Sequence, residues 1–469
     1  MAKQIRDPLL KRLPVGPDQE PGRRELSKRE PKGESAHDRD PMEELRNGPL
    51  GWLRLLGPGL ITGASDDDPS GIGTYSQVGS QFGLGLLWAA LFTFPLMLAV
   101  QELCARTALA TRVGLGAALR QKFDGRLVGV CIAGLCVANT INVGADLGAV
   151  AAGGSLLSQH RVAAGWLVVP AALLVVGLQL FATYDRIFHT FKWLTLALFA
   201  YVVTLVIAHP GALALLRATF VPHVEVSPAF SMALVAVLGT TISPYLFFWQ
   251  ASAEVEVQRR AGHVRAPGAA AAVRELRAAR VDITAGMVFS QIVMYAIIAT
   301  SAATLHAHGQ TSIQTADQAA AALQPLAGRL ASVIFALGMI GTGMLAIPIL
   351  SGSAAYAIKE FTGFGGSLGS KPRYRPTFYL VMVLAVIAGV AMNLVHLDPV
   401  KALFYTAVIN GVAAPPLLAL ITLLGADRTL MKSRASKRLS LSLTWAATVA
   451  MSVAALVMIG FIATGRIAA

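Results

Sequence analysis

Asp66, Asp67 and Asp68 are three successive carboxylates in an otherwise apolar stretch, and no other part of the sequence offers as much chemistry. They stand in Ser65-Asp66-Asp67-Asp68-Pro69-Ser70-Gly71-Ile72-Gly73. Carboxylates at membrane depth require a cation, polar partners or water. Pro69 lacks an N–H and clashes with a preceding helical turn, while Gly71 and Gly73 let the chain turn sharply. The predicted local form is helix, a few extended residues, then helix. Carbonyls freed by such a break face an ion, and non-helical backbone is tolerated where it lines a cavity. A surface loop between two short apolar segments is the alternative. Gly57 to Thr62 before the cluster and Thr74 to Gly79 after it place the carboxylates near the middle of a span instead.

A second segment, Gly239-Thr240-Thr241-Ile242-Ser243-Pro244-Tyr245, repeats the arrangement without the charge. Pro244 again falls within an apolar run, and Thr240, Thr241 and Ser243 put hydroxyls beside carbonyls that lose helical donors. Weaker polar signals surround these two. Asn139, Asn142 and Asp146 recur at helical spacing and form either a stripe facing a cavity or a hydrogen-bonded packing network. Gln291 and Tyr295, four apart, are expected to face the interior, and Asn393 and Asn410 are further intramembrane amides. Ala414-Pro415-Pro416 is expected to perturb its helix. Glu102 and Arg106 lie one helical turn apart at a span end and suit a structural or gating ion pair. His189, His223, His306 and His308 lie in loops or at span ends and form no metal-ligand constellation. Cys104, Cys131 and Cys136 read as small buried hydrophobes.

These residues need long apolar elements to position them. The 469-residue chain is 55% hydrophobic and only 14% charged, against about a quarter charged in soluble proteins. A helix needs about 20 apolar residues to cross the hydrocarbon. Eleven spans are predicted, at 54–78, 82–108, 127–152, 163–182, 190–210, 229–252, 283–304, 328–356, 377–395, 400–424 and 442–463. Gly79, Gly83 and Gly85 supply a tight turn after the first. Residues 1–50 carry eleven Lys and Arg against ten Asp and Glu, with no apolar run and no signal-peptide pattern, and read as a disordered cytoplasmic tail. Beyond it, placing the N-terminus inside collects 22 Lys and Arg on the cytoplasmic side, from Arg106, Arg112 and Arg120 through Arg186, Lys192 and Arg265 to Arg438. The opposite side holds five, Arg161, Arg217, Arg329, Lys401 and Arg466. This bias orients the chain with its C-terminus extracellular or periplasmic. Arg274, Arg277 and Arg280 predict a short cytoplasmic amphipathic helix within 254–282. The net charge of +13 is explained by these loops, and nucleic-acid binding is not expected.

Pro69 lies in span one and Pro244 in span six. Five spans followed by five more, each set opening on an interrupted helix, is the pattern of an inverted-repeat transporter. The first repeat covers 51–210 and the second 229–424, with 442–463 an added eleventh helix and 51–463 the transporter domain.

The same segments resemble the Nramp family of divalent-metal transporters over roughly residues 50–463. Gly57-Pro58-Gly59 ahead of Asp68-Pro69-Ser70-Gly71 is similar to that family's first-helix segment, where Asp-Pro-Gly-Asn is usual. Thr240-Thr241-Ile242-Ser243-Pro244-Tyr245 is similar to its sixth-helix segment, usually Ala-Thr-x-Met-Pro-His. Ala145-Asp146-Leu147-Gly148 resembles its third helix. The resemblance implies an all-α, LeuT-like membrane fold with helices 1 and 6 unwound at midplane, and uptake of divalent transition metals, commonly with protons.

Departures from the pattern are specific. Asp68 matches the metal-binding aspartate, but Gly71 stands at an asparagine ligand and Ser243 at a thioether ligand. Thr240 takes the place of a residue that ligates through its carbonyl. Tyr245 and Gln250 replace two histidines, and Ala149 a proton-pathway glutamate. The pattern is closer to the divergent Nramp-related magnesium transporters. An oxygen-only, roomier site suits Mg²⁺ or Mn²⁺ with water retained, whereas a thioether selects softer metals. The expected ligands are Asp68, Asp67, Gly71, Thr240 and Ser243. Asp66, Asp146, Asn139, Asn142, Tyr245, Gln250, Glu102 and Arg106 are expected along the pathway or at gates. The expected cargo is Mg²⁺ or Mn²⁺, with Fe²⁺ also accommodated, and proton coupling is expected to be weak or absent. No cofactor, catalytic residue or obligatory protein partner is expected. A proton-coupled Mn²⁺/Fe²⁺ importer and a sodium-coupled amino-acid carrier on the same fold are the alternatives.

Overall fold

The computed structural model describes residues 57–182, 196–260, 269–394 and 399–466. The predicted tail, the first residues of spans one and five, Arg186, His189, Lys192 and Arg265 lie outside the described residues.

Among the described residues nine helices are long and apolar enough to cross a membrane. They include α3 (Trp88–Thr111), α5 (Gly125–Leu157) and α6 (Ala164–Phe181). A short helix α4 (Leu115–Lys122) precedes α5. Span one is split into α1 (Pro58–Asp66) and α2 (Pro69–Phe82), and span five is the shorter apolar α7 (Phe199–Ala208). After α8 (Ala212–Phe220), span six is split into α9 (Pro228–Thr241) and α10 (Pro244–Arg260). The chain then continues through α11 (Ala269–Thr304), α12 (Ala331–Thr362), α13 (Pro376–Asn393), α14 (Pro399–Gly425) and α15 (Arg438–Ala463). All eleven predicted spans have a helical counterpart.

Without a hydrophobic drive between helices in lipid, close packing relies on small residues. Gly239 of α9 lies so near α14 that a Cβ there would come within 2.1 Å of the Ala407 carbonyl oxygen. Gly144 of α5 and Gly389 of α13 approach similarly, a Cβ on Gly144 meeting the Gly389 Cα at 3.2 Å. Gly79 has this role too, and not the predicted one in a turn. It sits inside α2, where a Cβ would lie 2.4 Å from the Ile298 carbonyl oxygen, and Gly83 at φ +57° ends the helix.

Two other expectations are corrected. Arg274, Arg277 and Arg280 do not form a separate amphipathic helix; they occupy the early turns of α11, which continues unbroken into span seven. Leaving the helix uninterrupted satisfies its backbone hydrogen bonds internally while the arginines project from the apolar part. Pro415 and Pro416 lie within a continuous α14, since neighbouring helices in a membrane bundle compensate the lost donors.

Candidate cation site

Both interruptions are two residues long and have the same construction. The first consists of Asp67 and Asp68, the second of Ile242 and Ser243, and each is followed by a proline that opens the next half-helix. Proline therefore acts here at the first helical position, where its missing N–H costs nothing, rather than as a kink inside a helix. Asp68 is extended (φ −64°, ψ 170°) and caps α2: its Oδ1 accepts the Gly71 N–H at 2.8 Å and the Ser70 hydroxyl at 2.6 Å. At the second break Ser243 Oγ donates toward the Gly239 and Thr240 carbonyls, at 2.8 and 2.7 Å. That hydroxyl keeps its lone pairs while satisfying carbonyls the break has freed.

The breaks meet. Tyr245, on the first turn of α10, donates to the Ser65 carbonyl at 2.7 Å, and its hydroxyl lies 3.5 Å from Asp68 Oδ2. Tyr75 of α2 and Thr241 of α9 are 3.3 Å apart through their hydroxyls. A Cβ on Gly71 would lie 3.2 Å from the Asp66 carbonyl oxygen and 3.3 Å from Thr240 Oγ1. Gly71 thus lets the two interrupted helices approach each other closely here.

Asp66, Asp67, Asp68 and Asp146 are all buried. Ser290 of α11 donates to Asp66 Oδ2 at 2.5 Å, with Asp67 Oδ1 3.4 Å from the same hydroxyl. Asp66 Oδ1 and Asp67 Oδ2 have no hydrogen-bond partner. Asp146, on α5, faces the Ser70 amide and is within electrostatic reach of Asp68, yet neither of its oxygens reaches hydrogen-bonding geometry. Among the described residues no Lys, Arg or His forms an ion pair with any of the four. Buried carboxylates without countercharge are costly. No group of three or more His, Cys, Asp or Glu side chains among the described residues is placed to hold one metal. An ion between the breaks would therefore use few carboxylates and complete its shell with hydroxyls, carbonyls, amides and water.

The remaining predicted residues separate. Asn142, four residues before Asp146, is buried with neither end of its amide bonded, while Asn139 donates to the Leu350 carbonyl at 3.0 Å. The helical stripe is thus part packing contact and part open polarity. Gln250 lies one side chain away from the site, accepting from Thr62 at 2.6 Å and donating to Glu254 at 3.1 Å. Glu102 and Arg106 are far along α3 and bind each other in a buried pair that also takes Arg280 Nε, 2.8 Å from Glu102. Gln291 donates to Met97 Sδ, and Tyr295 meets Thr219 of α8 at 3.0 Å. Asn393 donates to the Gly144 carbonyl at 2.7 Å, and Asn410 is buried with its amide nitrogen unbonded. His223, His306 and His308 bond to Glu225, the Ser80 carbonyl and the Thr304 carbonyl respectively. Cys104, Cys131 and Cys136 are free thiols.

Ser290, Glu254 and Asp282 are polar groups around the site that sequence reasoning passed over. Ser290 is the neighbour of Gln291, the residue the spacing pointed to, and one more hydroxyl in a helix carries little signal of its own. Glu254 follows the predicted end of span six at residue 252, yet it is buried in α10.

Two helices of one bundle, each broken at two residues and placed five spans apart, define a membrane protein of LeuT-like fold. The model of the Nramp family, described as natural resistance-associated macrophage protein-like, matches residues 59–460, and the chain belongs to that family. It is 26% identical over 375 residues to the divalent metal cation transporter MntH of Pectobacterium carotovorum, covering 79% of this chain and 85% of that one. The MntH of Yersinia enterocolitica is 27% identical over 293 residues, 62% of this chain and 69% of the other. Among solved structures, a manganese transporter of Eremococcus coleocola superposes with a TM-score of 0.66 at 16% identity, covering 88% of this chain and 87% of that one. The nucleobase-cation-symport transporter Mhp1 superposes with a TM-score of 0.53 at 13% identity, covering 87% and 93%.

Proposed function

We propose that this chain carries divalent metal cations across a cell membrane by alternating access, taking up Mg²⁺, Mn²⁺ or both with little or no proton coupling. One observation carries the reading: buried, unpaired carboxylate oxygens stand at the junction of two helix breaks, with no ion pair to a Lys, Arg or His among the described residues. A transported cation supplies the missing charge. Asp68 is the principal ligand, assisted by Asp67 and Gly71, with the Thr240 carbonyl and Ser243 hydroxyl across the gap. The scarcity of clustered donors favours a cation that keeps part of its water, as Mg²⁺ does. An all-oxygen donor set favours Mg²⁺ and Mn²⁺ over softer metals. Tyr245, Gln250 and Ala149 put poor proton carriers where the family uses titratable side chains.

Residues 51–463 are the transporter domain in this reading, with the N-terminus cytoplasmic and the opposite face receiving Arg161, Arg217, Arg329, Lys401 and Arg466. The names of the MntH relatives and of the manganese transporter support a second reading, a proton-coupled Mn²⁺ importer. One experiment separates the readings: uptake of Mn²⁺ and Mg²⁺ into proteoliposomes that contain a pH-sensitive dye, for the native protein and Asp68→Asn. Uptake of both ions without acidification of the lumen, reduced at least about tenfold in the variant, is the expected result. Acidification that tracks Mn²⁺ uptake supports the second reading, and equal uptake by Asp68→Asn removes the site assignment from both.

A further inference from the structure

We infer that Asp282 is a positioning residue that latches the half-helix α1 shut over the cytoplasmic side of the carboxylate cluster. This rests on the proposed transport reading, in which that side must open to release cargo. Helix α1 begins without a capping side chain of its own. The first N–H groups of a helix have no partner within it, and the first intrahelical bond here runs from Ile61 N to the Gly57 carbonyl. Pro58 has no N–H. The three remaining donors ahead of Ile61 all go to Asp282: Gly57 N at 2.8 Å and Leu60 N at 3.1 Å to Oδ1, and Gly59 N at 2.6 Å to Oδ2. A carboxylate in this position is also favoured by the helix dipole.

The backbones support the same closure. A Cβ on Gly59 would lie 2.5 Å from Ile283 N, and one on Gly63 would lie 2.2 Å from the Gly286 carbonyl oxygen. Only glycine allows α1 to lie this near α11. At its far end α1 stops at Asp66, where Ser290 of α11 donates to the carboxylate. A single face of α11 therefore grips both ends of α1, with Asp282 at the start and Ser290 at the cluster. Two residues, Asp67 and Asp68, join α1 to α2, so α1 can swing as a unit when the Asp282 bonds part. On its other side α1 touches α10 through Thr62 and Gln250. The latch and the cluster share one helix pair, so releasing Asp282 also loosens the Ser290 contact with Asp66.

The test measures opening directly and contains no divalent metal. In full-length protein with Cys104, Cys131 and Cys136 replaced by alanine, a reporter Ala64→Cys is placed in the buried face of α1. A membrane-impermeant thiol reagent is then applied to the cytoplasmic face in vesicles. Asp282→Ala is expected to raise the labelling rate about tenfold or more, because charge-assisted hydrogen bonds are lost. Gly63→Ala, which forces α1 away from Gly286 without touching the carboxylate, is expected to do the same, and the double variant to add little to either. Asp282→Asn, which keeps one acceptor oxygen, is expected to lie between. Labelling of a folded Asp282→Ala protein at the native rate would overturn the latch. Should that variant not fold, native-rate labelling in both Asp282→Asn and Gly63→Ala overturns it. Increased labelling in a protein that takes up neither Mn²⁺ nor Mg²⁺ upholds the latch and defeats only the cargo assignment.

Discussion

In the function proposed for this chain, Ser243 and Gly71 are the residues that bear most on which ion the breaks favour. Ser243 presents oxygen where the family has sulfur, and its hydroxyl hydrogen is already directed to the carbonyls of Gly239 and Thr240. Gly71 lies close against Asp66 and Thr240, where a Cβ would stand 3.2 Å from the Asp66 carbonyl oxygen and 3.3 Å from Thr240 Oγ1. Ser243→Met is expected to raise the affinity for Mn²⁺ and Cd²⁺ about tenfold relative to Mg²⁺, read by isothermal calorimetry, since a thioether favours softer metals. An unchanged ratio of affinities would place the selective contact elsewhere. The carboxylates, Pro69 and Pro244 were legible in the sequence because a charge or a proline inside an apolar run has few structural explanations. Ser290 was not, because a hydroxyl can return its proton to its own helix backbone and leave no trace in the pattern. Only the fold shows that it turns to Asp66 and Asp67.

The helices around the site depend on contacts made far from it. In the C-terminal half of α3, buried Glu102 receives Arg106 from its own helix and Arg280 from α11. Ser440 of α15 lies 3.4 Å from the same carboxylate, and Arg106 also donates to the Arg434 carbonyl. Glu275 forms a neighbouring node, paired with Arg112 at 3.2 Å and with Arg434 at 2.8 Å. These contacts connect α3, α11, α15 and the Arg434 segment. Removing Glu102 leaves Arg106 buried beside no carboxylate, whereas Arg280 is exposed enough to turn into water. Glu102→Ala is expected to cost about 3–5 kcal/mol, seen as a lower thermal midpoint in detergent, and Arg280→Ala far less. Equal, small losses for both would show that the Arg106 pair is not a buried one in function. The sequence placed Glu102 one turn from Arg106, but it could not show the arginines contributed by α11 and the Arg434 segment, since those meet only on folding. It also divided α11 in two, because its arginine-rich start and apolar remainder differ in composition while sharing one helical backbone.

Taken together, the described spans form one bundle whose two broken helices meet where Asp66, Asp67 and Asp68 are buried. Span number, order and the five-span separation of the breaks were readable because hydrocarbon thickness fixes helix length and because proline interrupts hydrogen bonding. The approach of the breaks to one another was not readable. It is set by Gly239 against α14, Gly63 against α11 and Tyr245 against Ser65, contacts between residues distant in the chain. The cation is proposed to lie where the breaks meet. A crystal structure of the protein grown with Mn²⁺ and recorded at the manganese absorption edge tests this most directly. The predicted result is an anomalous peak between Asp68 and the Thr240–Ser243 segment, lost in Asp68→Asn. A peak elsewhere in the bundle, or one that persists unchanged in Asp68→Asn, would contradict the account.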